Sequence, residues 1–405
     1  MAPLSLPEMG IGENAFTYSD ESTGQRRVRI THDWVERSLS AAPAPPDAPI
    51  APRDGGEAEG TNVVFEWRPA SDPDGEKIAD YHFELSSRPD MKWPLSMSFA
   101  KLISRTRDAG LARYTLQSPG ELNPDREYYW HVRAQDARGV WGEWSQTWRF
   151  TPRGPAPPLK PALQFDSEKT LGVLRWEPNP LGRRPIAYRV YASDEKGFSV
   201  SDTSFEVAAG LYDFHRQSAT KAPTRFPANF LAETQATELA VVGPGVQASA
   251  AGKAFYRVVA IDEQGNRSGP SDYVAVPRPV ISSQPVELAR LGAEYRYKVE
   301  SIRSLGDLRT RVVAGREAMN YWDVEQPQFE IEQGPKWLTV DRATGRLSGK
   351  PDAVGRAEVV VAVKLQRVQR SLDPGQLQWG VEKAVKSSIE TVGTARQVFT
   401  IETRP

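Results

Sequence analysis

Apolar side chains in this chain recur at every second residue, the period of a strand with one face in a core. Val63, Phe65 and Trp67 alternate with Val64 and Glu66, and Tyr81, Phe83 and Leu85 alternate with His82 and Glu84. Tyr128, Trp130, Val132 and Ala134 alternate with Tyr129, His131 and Arg133, and the pattern returns at Tyr295, Tyr297 and Val299 and at Val359, Val361 and Val363. No helical period of useful length competes with it. Ile389 to Val398 fits either period, but its Thr, Val and Gly content favours a strand. The expected fold class is all-β. Eleven Trp, 13 Tyr and 14 Phe supply core material that disordered chains lack. The 31 Gly and 33 Pro exceed the usual share of about 12% and provide turns and linkers.

Composition removes several function classes. Lys+Arg number 51 against 52 Asp+Glu, a net charge of −1, so no global field draws nucleic acid or anionic membrane. Cysteine is absent, which rules out disulfides, thiol catalysis and Cys-ligated zinc. No apolar run approaches the roughly 18–20 residues of a membrane-spanning helix. The opening Met1-Ala2-Pro3-Leu4-Ser5-Leu6-Pro7 has neither the basic nor the apolar region of a signal peptide. The chain is expected to be cytosolic or a piece of an exported protein without its leader.

Proline clusters divide the chain. Pro43, Pro45, Pro46, Pro49 and Pro52 form the first, Pro155, Pro157, Pro158 and Pro161 the second, and Pro277 and Pro279 the third. Such segments favour extended, polyproline-like backbone and act as short, stiff spacers. The pieces between them are about 100–125 residues, a common size for a sandwich domain.

The first two pieces repeat one another. Trp130-His131-Val132-Arg133-Ala134-Gln135-Asp136-Ala137-Arg138-Gly139 aligns with Tyr256-Arg257-Val258-Val259-Ala260-Ile261-Asp262-Glu263-Gln264-Gly265. Both read aromatic-x-Val-x-Ala-x-Asp-x-x-Gly, a strand running into an Asp/Gly turn. Upstream, Phe65-Glu66-Trp67-Arg68-Pro69 aligns with Leu174-Arg175-Trp176-Glu177-Pro178, and Tyr-led strands follow at Tyr81 and Tyr188. On these residues both pieces resemble fibronectin type III domains, over 43–153 and 154–279. The resemblance implies a seven-stranded, two-sheet sandwich without a disulfide, with Trp67 and Trp176 facing inward. The stretch Gly197 to Thr237, with Phe205, Phe214, Phe226 and Phe230, is long for a connection in that fold. It is either an elaboration with its own packing or a failure of the strand assignment.

The last piece, 280–405, carries Pro335-Lys336-Trp337-Leu338-Thr339-Val340-Asp341-Arg342-Ala343-Thr344-Gly345-Arg346-Leu347-Ser348-Gly349-Lys350-Pro351. Trp337, Leu338 and Val340 read as a strand, Asp341 to Gly345 as a turn, and Leu347 as the start of a second strand. This segment resembles the hallmark of the cadherin-like immunoglobulin module (dystroglycan type) of bacterial exported proteins. Arg303 to Gln326 reads as an insertion beyond that module. Residues 1–42 match neither family, and Arg26 to Arg37 reads as one alternating strand. That segment is either the tail of a preceding domain or an extra strand on the first sandwich.

Several residues are candidates for chemistry. Of the four histidines (His32, His82, His131 and His215), none has the spacing of a zinc protease. His82 and His131 lie on the outward face of neighbouring strands, within reach of Glu84, as a weak metal site or as plain surface residues. Asp72 and Asp74, in Ser71-Asp72-Pro73-Asp74-Gly75-Glu76, offer oxygen ligands for calcium but also read as ordinary turn chemistry. Asp341 and Asp352 are calcium candidates only by family association. Trp141-Gly142-Glu143-Trp144-Ser145 with Trp148 reads in two ways: a platform for sugar rings, or a ladder with Arg133, Arg138 or Arg149 over indole faces. It resembles the Trp-Ser-x-Trp-Ser element of some fibronectin type III domains, which favours the ladder.

Together these readings give tandem antiparallel immunoglobulin-like β-sandwiches with no catalytic residues and no cofactor, calcium aside. The expected role is a non-catalytic extracellular or cell-surface spacer, adhesion or ligand-binding region, a monomer whose partner is a polysaccharide or another surface protein. Neither nucleic acid nor direct membrane insertion is expected. Two alternatives stand beside it: the accessory region of a polysaccharide-degrading enzyme whose catalytic domain lies upstream, and a calcium-rigidified adhesion module.

Overall fold

The structure, a computed structural model, describes residues 12–20, 24–32, 41–92, 112–116, 120–167, 169–207, 224–243, 246, 252–313, 316–372 and 385–405. Contacts divide the chain into two compact units, Met1–Gly154 and Pro155–Pro405. Every regular element among the described residues is a strand, and the strands form mainly antiparallel sheets stacked in pairs. The alternation of apolar residues has the consequence expected of it.

In the first unit, Gly12–Asp20 and Gly24–His32 form a hairpin with Phe16 opposite Val28. The strand read over 26–37 is the second arm of that hairpin, and 33–37 lie outside the described residues. The sandwich that follows has a three-stranded sheet in the order Pro49–Ala51, Val64–Trp67, Arg113–Thr115. Its second sheet runs Gly56–Glu59, Trp148–Arg153, Tyr128–Asp136, Ile78–Ser86. Gly56–Glu59 joins it by a parallel pairing, so the opening segment of this sandwich contributes an edge to each sheet. Phe65, Trp67, Phe83, Trp130, Trp148 and Phe150 fill the core, with tilted and edge-to-face ring contacts of 4.7–5.3 Å among them. Such geometry adds a little to the large burial of each ring.

The second unit opens with the repeat of that sandwich. One sheet is Leu159–Asp166, Leu171–Glu177, Glu238–Val242; the other is Phe230–Thr234, Ala187–Ser193, Phe255–Ile261, Val274–Ala275. Trp176 is buried like Trp67, and Tyr188 meets it edge-on at 5.3 Å. The long stretch after Gly197 is an elaboration with its own packing. Phe205–Val207 pairs with Thr224–Phe226, and the rings of Phe205 and Phe226 stack at 5.1 Å. Phe214 lies outside the described residues.

The last module has a sheet ordered Leu288–Arg290, Val385–Arg404, Gly355–Leu372, Val324–Gln333 and a smaller one of Tyr295–Lys298, Arg346–Gly349, Thr339–Val340. The insertion read over 303–326 contains a hairpin, Asp307–Val313 with Arg316–Trp322. One detail differs from the sequence reading. Trp337 stands in a turn and the strand begins at Thr339, because the Leu338 N–H donates to the Pro335 carbonyl at 3.0 Å. A Cβ on Gly349 would lie 2.0 Å from the Trp337 carbonyl oxygen, so only glycine passes there.

Candidate functional site

The turn carboxylates are built into the frame. Asp72 Oδ1 accepts the N–H groups of Asp74 (2.8 Å) and Glu76 (3.2 Å), and Asp74 Oδ2 accepts Ala41 N–H at 2.6 Å. Glu76 pairs with Arg138 at 2.6 Å. Asp341 Oδ1 accepts the N–H groups of Ala343 and Thr344, and these bonds hold its carboxyl below the usual range. Among the described residues no group of three or more His, Asp or Glu side chains is arranged to hold a metal ion.

The densest cluster of chemical groups lies on the outward face of the first sandwich. Strands Ile78–Ser86 and Tyr128–Asp136 pair so that His82 opposes Arg133 and Glu84 opposes His131. Glu84 reaches both histidines: His131 Nε2 at 2.9 Å from Oε2 and His82 Nε2 at 3.6 Å from Oε1. Arg133 donates to His82 Nδ1 at 3.2–3.3 Å, which leaves the ring proton on Nε2, facing Glu84. The cluster is covered. His131 stacks on Trp144 at 3.9 Å, His82 lies 4.8 Å from the same indole, and Arg133 sits 4.6 Å from Trp144 and 5.1 Å from Trp141. Only 12% of each histidine side chain is exposed. Burial pushes both imidazoles below their ordinary pKa. For His82 the Arg133 charge adds to this; for His131 the bond to Glu84 opposes it without prevailing.

Backbone geometry sets that cover in place. Gly142 N–H donates to the Ala134 carbonyl and Ser145 N–H to the Val132 carbonyl, both at 2.9 Å. The Ser145 hydroxyl accepts Val132 N–H and donates to the Gln146 carbonyl. Segment 141–145 therefore runs alongside Tyr128–Asp136 and lays Trp141 and Trp144 over its outward side chains. Trp148 takes no part: it is 3% exposed and meets Trp130 in the core at 4.7 Å. Arg133 is the arginine of the ladder.

The second sandwich carries the same turn and a different cover. Asp136 Oδ1 accepts Val140 N–H at 2.8 Å, and Asp262 Oδ1 accepts Asn266 N–H at 2.8 Å. Ser271 bonds Val258 N–H as Ser145 bonds Val132. On the outward face, however, Arg189 lies 4.2 Å from the Phe230 ring, Arg257 lies 5.7 Å from Phe198, and Asp202 accepts from Arg189, Arg267 and the Tyr191 hydroxyl. Phe198, Asp202 and Phe230 all belong to the long stretch after Gly197. Nothing in the sequence marked them as a lid over this face beyond the length of the stretch and its phenylalanines.

Comparison with known proteins agrees with this architecture. Residues 57–152 match the family model for the Rha78A-like, N-terminal immunoglobulin domain. The first sandwich is immunoglobulin-like. No curated protein matches the chain. Among solved structures, the FN1–FN3 domains of chicken CNTN1 align over 65% of this chain and 76% of their own, at 14% identity and a TM-score of 0.22, a level that carries no argument of its own. Tandem, mainly antiparallel immunoglobulin-like β-sandwiches are the fold.

Proposed function

We propose that the chain is a non-catalytic accessory and spacer region of a larger exported bacterial protein, with fibronectin type III-like modules at 43–153 and 154–279 and a cadherin-like module at 280–405. One observation carries this reading. The side chains best suited to chemistry are engaged in holding the sandwiches together: Asp72 and Asp341 bond turn amides, and Arg133, His82 and His131 lie against Trp144. The match of 57–152 to a domain described as N-terminal in its family supports an accessory role within a longer chain. The setting is extracellular or at the cell surface. With Arg133 over both Trp141 and Trp144, any association with polysaccharide comes through the parent protein rather than through an indole platform here.

The test is direct. The purified chain, incubated with polysaccharides, peptides and esters, should show no turnover, and its melting temperature should not respond to calcium. Turnover that disappears on changing a single Asp or Glu would overturn the reading.

A further inference from the structure

Glu325 is 1% exposed at its side chain and accepts four hydrogen bonds from three separate segments of the second unit. Arg278 Nε reaches Oε2 at 2.7 Å and Nη2 reaches Oε1 at 3.3 Å, a forked grip. Arg367 Nη2 reaches Oε1 at 3.0 Å, and Ser304 N–H reaches Oε2 at 2.8 Å. Arg278 is the residue between Pro277 and Pro279, where a short spacer was expected. Its guanidinium also donates to the Val276 carbonyl at 3.0 Å and lies 5.0 Å from the Phe255 ring of the second sandwich. A carboxylate this buried is unfavourable by itself and persists only where donors surround it. Burial pushes the Glu325 carboxyl up, but the bonds from Arg278, Ser304 and Arg367 outweigh it, so its pKa lies below the ordinary value.

Backbone and core join at the same place. Leu305 N–H donates to the Asp194 carbonyl at 2.7 Å and Lys196 N–H to the Gly306 carbonyl at 3.0 Å, linking the turn after Ala187–Ser193 of the second sandwich to the insertion of the last module. Gly306 has φ +77°, and a Cβ there would lie 1.8 Å from the Trp322 carbonyl oxygen. Val280 and Ile302, beyond the proline junction, are buried in the hydrophobic core of the second sandwich.

We infer that Glu325 is the latch of a rigid elbow: the second sandwich and the last module move as one body, at an angle fixed by Glu325 between Arg278 and Arg367 and by the shared core around Val280 and Ile302. The inference deepens the spacer reading and rests on it for its biological use, since a spacer that fixes direction as well as distance needs a joint that does not hinge.

Because the chain has no cysteine, two introduced ones can carry spin labels without competition. Gln235→Cys in the second sandwich and Asp352→Cys in the last module are both exposed positions. Pulsed electron–electron double resonance on the full chain should give one narrow distance distribution. Glu325→Gln should widen it at least twofold, and Arg278→Lys, which keeps the charge but loses the fork, should widen it less. A broad distribution in the unmodified elbow, or an unchanged width in a folded Glu325→Gln chain, would overturn the latch. The readout is independent of what the region serves: turnover by a chain with a narrow distribution would sink the spacer reading and leave the latch standing.

Discussion

Gly142 is the position at which opposite exchanges in the two repeats should both destabilise. Its counterpart is Ser268, whose hydroxyl accepts Ala260 N–H at 2.9 Å and donates to the Gly269 carbonyl at 2.7 Å. Installing that serine in the first sandwich looks like restoring a motif. The structure argues the reverse, because a Cβ on Gly142 would lie 2.2 Å from the carbonyl oxygen of Pro43, where ordinary contact begins at 3.4 Å. Pro43 is buried and would have to withdraw by more than 1 Å. That movement pulls on two bonds that anchor its segment, Ala44 N–H to the Ser71 carbonyl (2.8 Å) and Ala41 N–H to Asp74 Oδ2 (2.6 Å). Overpacking of this kind costs about 1–3 kcal/mol, and each bond weakened adds up to about 1 kcal/mol. Against this stands the gain of about 0.4–1 kcal/mol from restricting the unfolded chain. The balance for Gly142→Ala is a loss of roughly 1–3 kcal/mol, or about 5–20 °C in the melting temperature of a domain this size. Gly142→Ser should lose as much, since its hydroxyl arrives with the same Cβ. In the second repeat, Ser268→Gly should destabilise by about 1–2 kcal/mol through the lost bonds. Urea unfolding of each variant measures these differences. A Gly142→Ala chain as stable as the parent, or more stable, would refute the steric argument, because the unfolded-state gain would then act alone.

Three further outcomes are expected. Trp67→Ala and Trp176→Ala should each lose about 3–5 kcal/mol, the range for a large core aromatic, with denaturant titration as the measure; a loss under about 1 kcal/mol at either would contradict its core position. Arg133→Ala should uncover Trp141 and Trp144, lower stability by about 0.5–2 kcal/mol and shift tryptophan emission to the red; unchanged emission would mean that the guanidinium does not cover the indoles. Because His82 and His131 are held below their ordinary value of 6.5, the unfolded chain takes up protons first as pH falls. Their contribution is therefore complete above pH 6.5 and is lost below it, so the melting temperature of the first sandwich should drop between pH 7 and 5, and a His82→Gln, His131→Gln chain should show a flatter profile.

The strands of the first sandwich were legible because one face is apolar and fully buried while the other carries polar side chains, so Tyr128–Asp136 alternates strictly. Trp148 was legible too: it alternates with Phe150, which places both inward, but its nearness to Trp141 and Trp144 suggested a common surface. Ala187–Ser193 and Phe255–Ile261 are buried on both faces, and their sequences, Ala-Tyr-Arg-Val-Tyr-Ala-Ser and Phe-Tyr-Arg-Val-Val-Ala-Ile, lose the alternation accordingly. What covers them comes from a stretch whose pairing no local rule specifies. Glu325 and Arg278 stand 47 residues apart, and a contact at that separation has no signature in composition or period.

Comparison of the two repeats shows where specificity can reside. Asp136 and Asp262 hold the same turn, Ser145 and Ser271 fasten the same neighbouring segment, and Trp67 and Trp176 occupy the same core position. These residues set the frame and leave little room for change. The outward face of the same two strands is closed by Trp141 and Trp144 in one repeat and by Phe198, Asp202 and Phe230 in the other. An open face carrying Arg189, Tyr191, Arg257 and Val259 would leave a large ring and long aliphatic stems in water, so each repeat must supply some cover. The choice of cover is free of the frame. A partner approaching either sandwich from that side meets the covering segment and not the strands beneath it, so two modules with one fold present unrelated surfaces.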